Sequence, residues 1–261
     1  MKDKCEEFLK KLTSKKHIIF TSRCNSAILA SLKLVQEKGF SDIFIPDMGG
    51  WMTYPQYIKK LKLTENIIMT DFGSISEFNE SNSVLLFNSM PGYFIDQDSE
   101  SLYSSCKQNS SIMINDICGS VGSKDAMFGD ILVCSFGRWK PIDLGEGGFI
   151  ATDNDEFLEF FKKFEFLDLD FKTLFSKLTN LNNRLSFLKK IVNKVKIDLK
   201  DFDIIHPDKF GLNVIVRFSS ESEKEKLIKY CEQENLEWVE CPKYIRVLDD
   251  AISIEIKRLV S

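Results

Sequence analysis

The chain of 261 residues carries 35 basic and 39 acidic side chains, for a net charge of −4 at pH 7. This mixture gives no basic footprint for nucleic acid, and no apolar run approaches the ~20 residues that span a bilayer. The charged amino terminus, MKDKCEEFLKKL, does not resemble a signal peptide and predicts a cytoplasmic protein. Seven cysteines without paired spacing predict reduced, mostly buried thiols, with no disulfide framework and no metal site.

Short apolar runs alternate with helical patterns over the first 152 residues. The alternation predicts an α/β fold, a three-layer α/β/α large domain whose mostly parallel sheet is covered by helices. The sheet is expected to contain seven strands, at residues 17–20, 42–45, 67–70, 83–88, 111–115, 131–136 and 148–152.

The pattern changes after residue 155, where long charged helices include segments 157–167 and 185–195. They precede a β-α-β pattern, which predicts a small α+β carboxyl-terminal domain. We therefore divide the chain into a large domain, 1–175, and a small domain, 176–261. The small domain is expected to hold a helix at 221–234 and strands at 210–216, 236–241, 244–248 and 252–256, the last at the sheet edge.

A polar turn, SRCNS, joins the first predicted strand to a helix at 27–35. A strand, a turn and a helix amino terminus together suit an anion, because free N–H groups and the helix dipole point toward it. On that interpretation the backbone near Cys24 and the side chain of Asn25 bind phosphate. The alternative is an ordinary helix capped by Ser22 or Asn25, which this segment alone favours.

Lys140 lies in the stretch SFGRWKPIDLGEGG, just beyond the end of a predicted strand. Open α/β sheets bind their ligands at the carboxyl ends of strands, and the glycine-rich turn at 145–148 lets the backbone approach a bound group closely. Most lysines are solvated surface charges. A lysine held in this position can instead be a covalent catalyst.

The pattern SFxxxKxxxxGEGG, followed by an apolar strand and Thr-Asp, resembles the lysine signature of the DegT/DnrJ/StrS sugar aminotransferases. These are fold-type I pyridoxal-phosphate enzymes, and the resemblance covers roughly the first 155 residues. It implies that Lys140 forms an internal aldimine with pyridoxal 5′-phosphate and that Ser135 contacts the cofactor phosphate.

The resemblance extends to Asp116, which follows the predicted strand at 111–115. It implies that the carboxylate pairs with the pyridinium nitrogen and preserves the cofactor as an electron sink. A turn-initiating or helix-capping aspartate is the alternative. Gly119 stands where the family has a Gln or His that touches the ring hydroxyl, so this contact is missing or supplied from elsewhere. Arg23 and Cys24 replace the glycine and threonine of the family's phosphate loop.

Two further segments are similar to family motifs. In IPDMGGWMT, the similarity implies that Trp51 stacks on the pyridoxal plane, and a packing anchor is an equal alternative. The segment NNRLS at 182–186 is similar to the family's Asn-Tyr-Arg-Met-Ser, which implies that Asn182 reaches the cofactor phosphate of a partner subunit in a homodimer. A plain helix cap is the alternative there.

The activity implied by the resemblance is transamination between an amino donor such as glutamate and a keto acceptor, in the family a keto-sugar nucleotide. Lys140, desolvated beside a cationic ring, would have a lowered pKa and would move the proton. A substrate carboxylate needs a cation, for which Arg138, Arg184 and Arg246 are candidates.

Two alternatives stay open. The chain could be another pyridoxal-phosphate enzyme of the lyase or desulfurase type. It could also be a degenerate relative that acts as a binding module without catalysis, which Gly119, Arg23 and the short carboxyl-terminal region favour.

Overall fold

A computed structural model describes residues 1–260, and its largest feature is a seven-stranded sheet. The order across the sheet is β1-β7-β6-β5-β4-β2-β3. Neighbouring strands from β6 to β3 are parallel, and β7 is antiparallel to both β1 and β6. The strands are β1 (His17–Thr21), β2 (Asp42–Pro46), β3 (Thr64–Ile68), β4 (Val84–Asn88), β5 (Ile112–Asp116), β6 (Ile131–Ser135) and β7 (Gly148–Thr152).

Eight helices accompany the strands in the part of the chain that the structure describes. Four of them begin at a residue whose side chain accepts hydrogen bonds from the first turn, namely Asp98, Asn154, Asp170 and Ser220. The helices are α1 (Lys2–Thr13), α2 (Cys24–Glu37), α3 (Thr53–Leu61), α4 (Ser99–Gln108), α5 (Asp155–Phe161), α6 (Phe171–Thr179), α7 (Leu181–Asp198) and α8 (Glu221–Gln233). No helix within residues 1–260 has both the length and the apolarity needed to cross a membrane.

Apart from the partly exposed edge strand β3, the large sheet is buried on both faces, which explains why its strands are almost continuously apolar. On β7, Phe149 and Ala151 belong to a cluster that includes side chains of α1 and α6. The intervening Ile150 belongs to a second cluster, which contains the apolar face of α2. Successive side chains of a strand point to opposite faces, so this alternation places helices on both sides. The predicted three-layer α/β/α class is confirmed.

A second, antiparallel sheet follows in the carboxyl-terminal part, with order β10-β11-β9-β8. Its strands are β8 (Asp203–Ile204), β9 (Val214–Arg217), β10 (Trp238–Cys241) and β11 (Ala251–Ile254), and a 3-10 helix, Ile256–Arg258, follows β11. The strand predicted at 252–256 is present as β11, but its predicted edge position is wrong, because β11 lies between β10 and β9. The division of the chain at residues 175 and 176 stays a prediction.

The predicted strand at 244–248 is also wrong. These residues form a turn between β10 and β11, in which Arg246 N–H donates to the Lys243 carbonyl at 2.8 Å and Lys243 N–H donates to the Val247 carbonyl at 2.7 Å. The turn directs the side chain of Arg246 inward, where it is 6% exposed. A surface position for Arg246 on a strand is therefore excluded.

Candidate active site

A cavity of ≈ 360 Å³ lies at the carboxyl ends of three adjacent parallel strands of the large sheet. The last residues of these strands, Asn88 on β4, Asp116 on β5 and Ser135 on β6, all line it. Parallel strands end at the same edge of a sheet, so side chains distant in sequence meet there. The cavity is also lined by Cys24, Asn25, Trp51 and Lys140. With Asp116 and Ser135, six of the seven predicted cofactor and catalytic residues share one site, and only Asn182 does not.

Asp116 forms part of the cavity floor and is 3% exposed. Its Oδ2 accepts a hydrogen bond from the hydroxyl of Tyr54 at 2.8 Å, and its Oδ1 accepts one from the backbone N–H of Cys118 at 3.0 Å. Burial raises the pKa of Asp116 well above its usual value, and the neighbouring Cys118 raises it further, while the Tyr54 hydrogen bond opposes this change. The carboxyl group is thus held in one orientation by two donors.

Lys140 reaches the cavity from the loop that follows β6, and its Nζ is hydrogen-bonded to the hydroxyl of Tyr93. The same nitrogen lies 4.5 Å from the centroid of the Tyr93 ring and 5.5 Å from that of Trp51. Aromatic faces on two sides fix the position of the amine.

The pKa of Lys140, which the sequence predicted to be lowered, is instead raised in the structure. Burial lowers the pKa of Lys140, but Tyr93, Cys118 and Asp116 together raise it above its ordinary value. Burial also raises the pKa of Tyr93, which keeps its hydroxyl protonated at neutral pH, where its oxygen accepts the hydrogen bond from Lys140.

The glycine-rich turn seals one wall by close backbone approach. Gly147 adopts φ +85°, in the left-handed region that glycine tolerates. A Cβ on Gly148 would lie 2.4 Å from the Cys134 carbonyl oxygen and 3.0 Å from the backbone nitrogen of Cys24. The turn therefore holds the end of β6 and the start of α2 side by side.

The start of α2 faces the cavity, as the anion-site interpretation requires. The N-cap is Arg23, which makes no side-chain capping hydrogen bond, so the predicted alternative of a cap at Ser22 or Asn25 is wrong. Ser22 instead pairs with Ser26, with 3.1 Å between their hydroxyl oxygens. Asn25 Oδ1 accepts a hydrogen bond from Trp51 Nε1 at 2.9 Å, which ties the helix start to the aromatic wall.

The opposite wall comes from the end of the chain. Glu255, 1% exposed, accepts two hydrogen bonds from Arg246, each 2.8 Å long, and a further contact from Lys257. Burial lowers the pKa of Lys257 to about 7, although Glu255 opposes this change. Lys257 Nζ lies 4.8 Å from the centroid of Tyr93, whose ring thus interacts with two lysines. Arg258 stacks on Trp139, with 4.5 Å between the guanidinium carbon and the ring centroid.

Two predicted candidates lie outside the cavity. Asn182 is exposed as the second residue of α7, and a contact with a partner subunit stays a prediction. Arg184 donates to the carbonyl oxygens of Lys257 and Leu259, both at 3.1 Å, and so anchors the carboxyl-terminal segment. Arg138 does line the cavity, where it is exposed.

All seven cysteines are buried and free, as predicted, but two of them meet unexpectedly in the cavity. The sulfurs of Cys24 and Cys118 are 3.7 Å apart, and the backbone N–H of Ser135 donates to Cys118 Sγ at 3.1 Å. Burial disfavours a Cys118 thiolate, yet hydrogen bonds with Cys134 and Cys24 and the charge of Lys140 bring its pKa well below the usual value.

Sequence reasoning missed Tyr54, Tyr93 and Lys257 as site residues. Tyr93 could have been found, because it lies shortly after the end of β4, at the same edge of the sheet at which β5 ends with Asp116. Tyr54 lies in α3, one residue after the quoted motif IPDMGGWMT, where no pattern links it to Asp116. Lys257 enters the cavity only through the tertiary packing of the second sheet.

Comparison with curated protein sequences finds no match. Among solved structures, an aminotransferase from Helicobacter pylori involved in the biosynthesis of pseudoaminic acid, PseC, superposes with a TM-score of 0.73 at 16% identity, covering 96% of this chain and 84% of that one. A serine palmitoyltransferase variant from S. paucimobilis with a bound PLP-myriocin aldimine gives 0.67 at 12% identity, covering 97% and 70%. DesI, solved in the presence of its TDP-sugar product, gives 0.67 at 13%, covering 97% and 78%.

These similarities define the fold, which is that of the fold-type I pyridoxal-phosphate-dependent enzymes. Over residues 79–198, which contain Asp116 and Lys140, the chain matches the DegT/DnrJ/EryC1/StrS aminotransferase family. The resemblance predicted from the lysine motif is confirmed for this segment. Residues 176–261 match a different model, the MJ1341 family C-terminal domain.

Proposed function

We propose that the protein is a pyridoxal-phosphate-dependent aminotransferase in which Lys140 holds the cofactor covalently. The observation that carries the proposal is the meeting of the Lys140 amine with the oriented Asp116 carboxyl in one cavity at the strand ends. Each residue alone has an ordinary explanation. Together, in this fold and within the segment that matches the family, they supply the two groups that this chemistry needs.

The donor set around the cavity fits pyridoxal 5′-phosphate. The start of α2, with Cys24, Asn25 and the hydroxyl of Ser135, would hold the phosphate, because free helix N–H groups favour an anion. Asp116 would pair with the ring nitrogen, and Trp51 would flank the ring. When bound, the cofactor supplies an electron sink for the substrate carbon.

The remaining chemistry belongs to side chains of this chain. The Lys140 amine would act as the general base that takes the proton from the substrate carbon and as the acid that returns it. The Tyr93 hydroxyl, bonded to Lys140 Nζ, directs the amine, and the two aromatic rings limit where it can travel. Lys257 and Arg258 border the site on the carboxyl-terminal side.

The charge of the cavity supports an anionic substrate. Its acidic lining residues are Asp116 and Glu146, whereas six cations line it, namely Arg23, Arg138, Lys140, Arg246, Lys257 and Arg258. Arg246 is already paired with Glu255 and Arg184 with backbone carbonyls. Arg138, for which the described residues offer no hydrogen-bonding partner, is therefore our first candidate for a substrate carboxylate or phosphate. We propose an amino-acid donor and a keto-sugar nucleotide acceptor, consistent with the TDP-sugar product of the structurally similar DesI.

Covalent trapping tests the proposal directly. Full-length protein incubated with pyridoxal phosphate should develop a visible absorption band, and borohydride reduction followed by peptide mass mapping should locate the cofactor on Lys140. Lys140→Ala should lose both signals. Lys257→Ala, which removes the other lysine beside Tyr93, is the matched control and should keep the modification at Lys140. No band in the wild-type protein, or modification elsewhere, would overturn the proposal and leave the non-catalytic binding module.

Half-reactions separate transamination from the other chemistry. Glutamate should convert the bound cofactor to its pyridoxamine form, and a keto-sugar nucleotide should reverse the conversion. Conversion by no amino donor, with the cofactor nevertheless bound at Lys140, would favour the lyase or desulfurase type. The homodimer, the role of Asn182 and the cytoplasmic location stay predictions, and sedimentation of wild-type and Asn182→Ala protein tests the first two.

A further inference from the structure

Three buried side chains at the cavity floor have the arrangement of metal ligands. One ligand atom each from Cys24, Cys118 and Asp116 lies within 4.8 Å of the other two. We propose that these residues bind one zinc-like divalent metal ion, in competition with a cofactor at the same floor. The proposal stands on this geometry and does not require the aminotransferase activity.

The distance between the sulfurs fits a shared metal ion. In tetrahedral zinc sites the Zn–S bond is about 2.3 Å, which places two ligating sulfurs about 3.8 Å apart. The sulfurs of Cys24 and Cys118 are 3.7 Å apart, so they can ligate one ion without moving. These cysteines are 94 residues apart in sequence, which explains why cysteine spacing predicted no metal site.

Hydrogen bonds already orient the ligands, as they do in established metal sites. The Ser135 N–H donates to Cys118 Sγ at 3.1 Å, and the Tyr54 hydroxyl donates to Asp116 Oδ2 at 2.8 Å. Both donors belong to rigid elements, the end of β6 and the helix α3. The lone pairs not used by these bonds are available to an ion.

The ligand set selects the class of metal. Two sulfurs and one carboxylate suit Zn²⁺ or Co²⁺, whereas Mg²⁺ and Ca²⁺ prefer oxygen ligands alone. Three protein ligands leave the fourth tetrahedral position open, and it faces the cavity because Cys24, Cys118 and Asp116 all line it. An ion there would occupy the carboxylate that a cofactor ring needs, so the two would exclude each other.

Cobalt titration tests the site. Full-length protein, reduced and freed of cofactor, should bind one Co²⁺ per chain with thiolate charge-transfer absorption, and Zn²⁺ should displace it. Loss of an outer-shell partner alone costs ~10–100-fold in metal affinity, so Cys24→Ser and Cys118→Ser should each weaken binding about 100-fold or more. Cys231→Ser, which alters a buried thiol on α8, should bind as the wild type does.

A second measurement needs no variant of the ligands. In the wild-type protein, Zn²⁺ should protect Cys24 and Cys118 from alkylation, as mapped by peptide mass spectrometry, without protecting Cys231. Three results would overturn the proposal: cobalt binding without the thiolate absorption, wild-type cobalt affinity in both serine variants, or no protection of Cys24 and Cys118 by Zn²⁺.

The failure of this proposal is distinguishable from failure of the proposed function. Lys140→Ala should lose covalent cofactor and keep metal binding. Wild-type protein loaded with pyridoxal phosphate should bind cobalt at least tenfold more weakly than cofactor-free protein. Full occupancy of one chain by both ligands would refute the competition.

Discussion

Tyr93 occupies the space that any side chain at position 119 would need. A Cβ on Gly119 would lie 2.9 Å from Cδ1 of Tyr93 and 2.9 Å from Cβ of Met90. The absence of a Gln or His at position 119 thus has a physical reason, because a larger residue there would displace the Tyr93 ring that contacts Lys140. The tyrosine belongs to the 3-10 helix Pro91–Tyr93, which follows β4, the strand next to β5.

Tyr93→Phe should lower the pKa of the Lys140 amine. Burial lowers this pKa, while Tyr93 and its hydrogen bond raise it, so removing the hydroxyl leaves the effect of burial less opposed. The pH dependence of Lys140 acylation, read by peptide mass spectrometry, should shift to lower pH. Tyr57→Phe on α3 is the control and should leave the profile in place. A profile unchanged in Tyr93→Phe would show that the hydroxyl does not tune the amine.

Tyr54→Phe should weaken cofactor binding and destabilise the fold. The variant removes one of two donors to a buried carboxyl, at a cost of about 1–3 kcal/mol, and it raises the pKa of Asp116 further because the lost hydrogen bond lowered it. Urea denaturation and cofactor titration measure the two effects. Tyr57→Phe, on the same helix, should change neither. Wild-type cofactor affinity in Tyr54→Phe would contradict the assignment of Asp116.

Gly148→Ala should separate the end of β6 from the start of α2. Its Cβ would meet two backbone atoms, which cannot rotate away, so we expect a loss of about 3 kcal/mol in the free energy of unfolding. Phosphate affinity should fall as well. Gly145→Ala is the comparison, because position 145 has open space and only the cost of φ +88°, ~1 kcal/mol. Equal losses in the two variants would refute the steric explanation.

Glu255 should make the fold sensitive to acid. Burial opposes its ionisation, but Lys257 and Arg246 lower its pKa from 4.5 to about 2. A lowered folded pKa gives stability that is complete above pH 4.5 and lost as the pH falls toward 2, and the difference corresponds to about 3 kcal/mol.

The difference between variants isolates this effect. Glu255→Gln should be less stable at pH 7, because Arg246 and Lys257 lose their buried partner, and its stability should fall less than that of the wild type between pH 5 and 2. Glu237→Gln, which removes an exposed partner of Arg258, should keep the wild-type slope. Urea denaturation between pH 5 and 2 measures the change of stability with pH. If Glu255→Gln lost as much stability over this range as the wild type, the assignment would be contradicted.

The large sheet could be predicted because each of its strands is a compact apolar run. Burial on both faces makes such runs visible, and only β3 shifted appreciably, from 67–70 to Thr64–Ile68. The half-exposed pattern of β3 carries a weaker signal. The second sheet was harder to predict, since β8 has two residues and the mostly apolar run 244–248 forms a turn in which Val247 is buried and Leu248 is exposed.

The candidate site could be predicted where residues end a strand, lie in the loop that follows one, or begin α2. Lys140, Asp116 and Ser135 follow this rule, which depends on chain order alone. Tertiary packing determined the rest: Lys257 arrives from the second sheet, and the Cys24 and Cys118 sulfurs meet because the start of α2 packs beside the end of β5. The periodicity of apolar residues in the sequence does not predict such contacts between distant residues.

The wall formed by Lys257 and Arg258 has a consequence for biosynthesis. The strand that ends at Asp116 and the loop that carries Lys140 leave the ribosome well before residues 256–258. Lys257 and Arg258 complete the cavity around Tyr93 and Trp139. A nascent chain can therefore form the large sheet while its lysine loop is still open to solvent. The cavity wall beside Tyr93 and Trp139 is complete only when the short helix Ile256–Arg258 has docked.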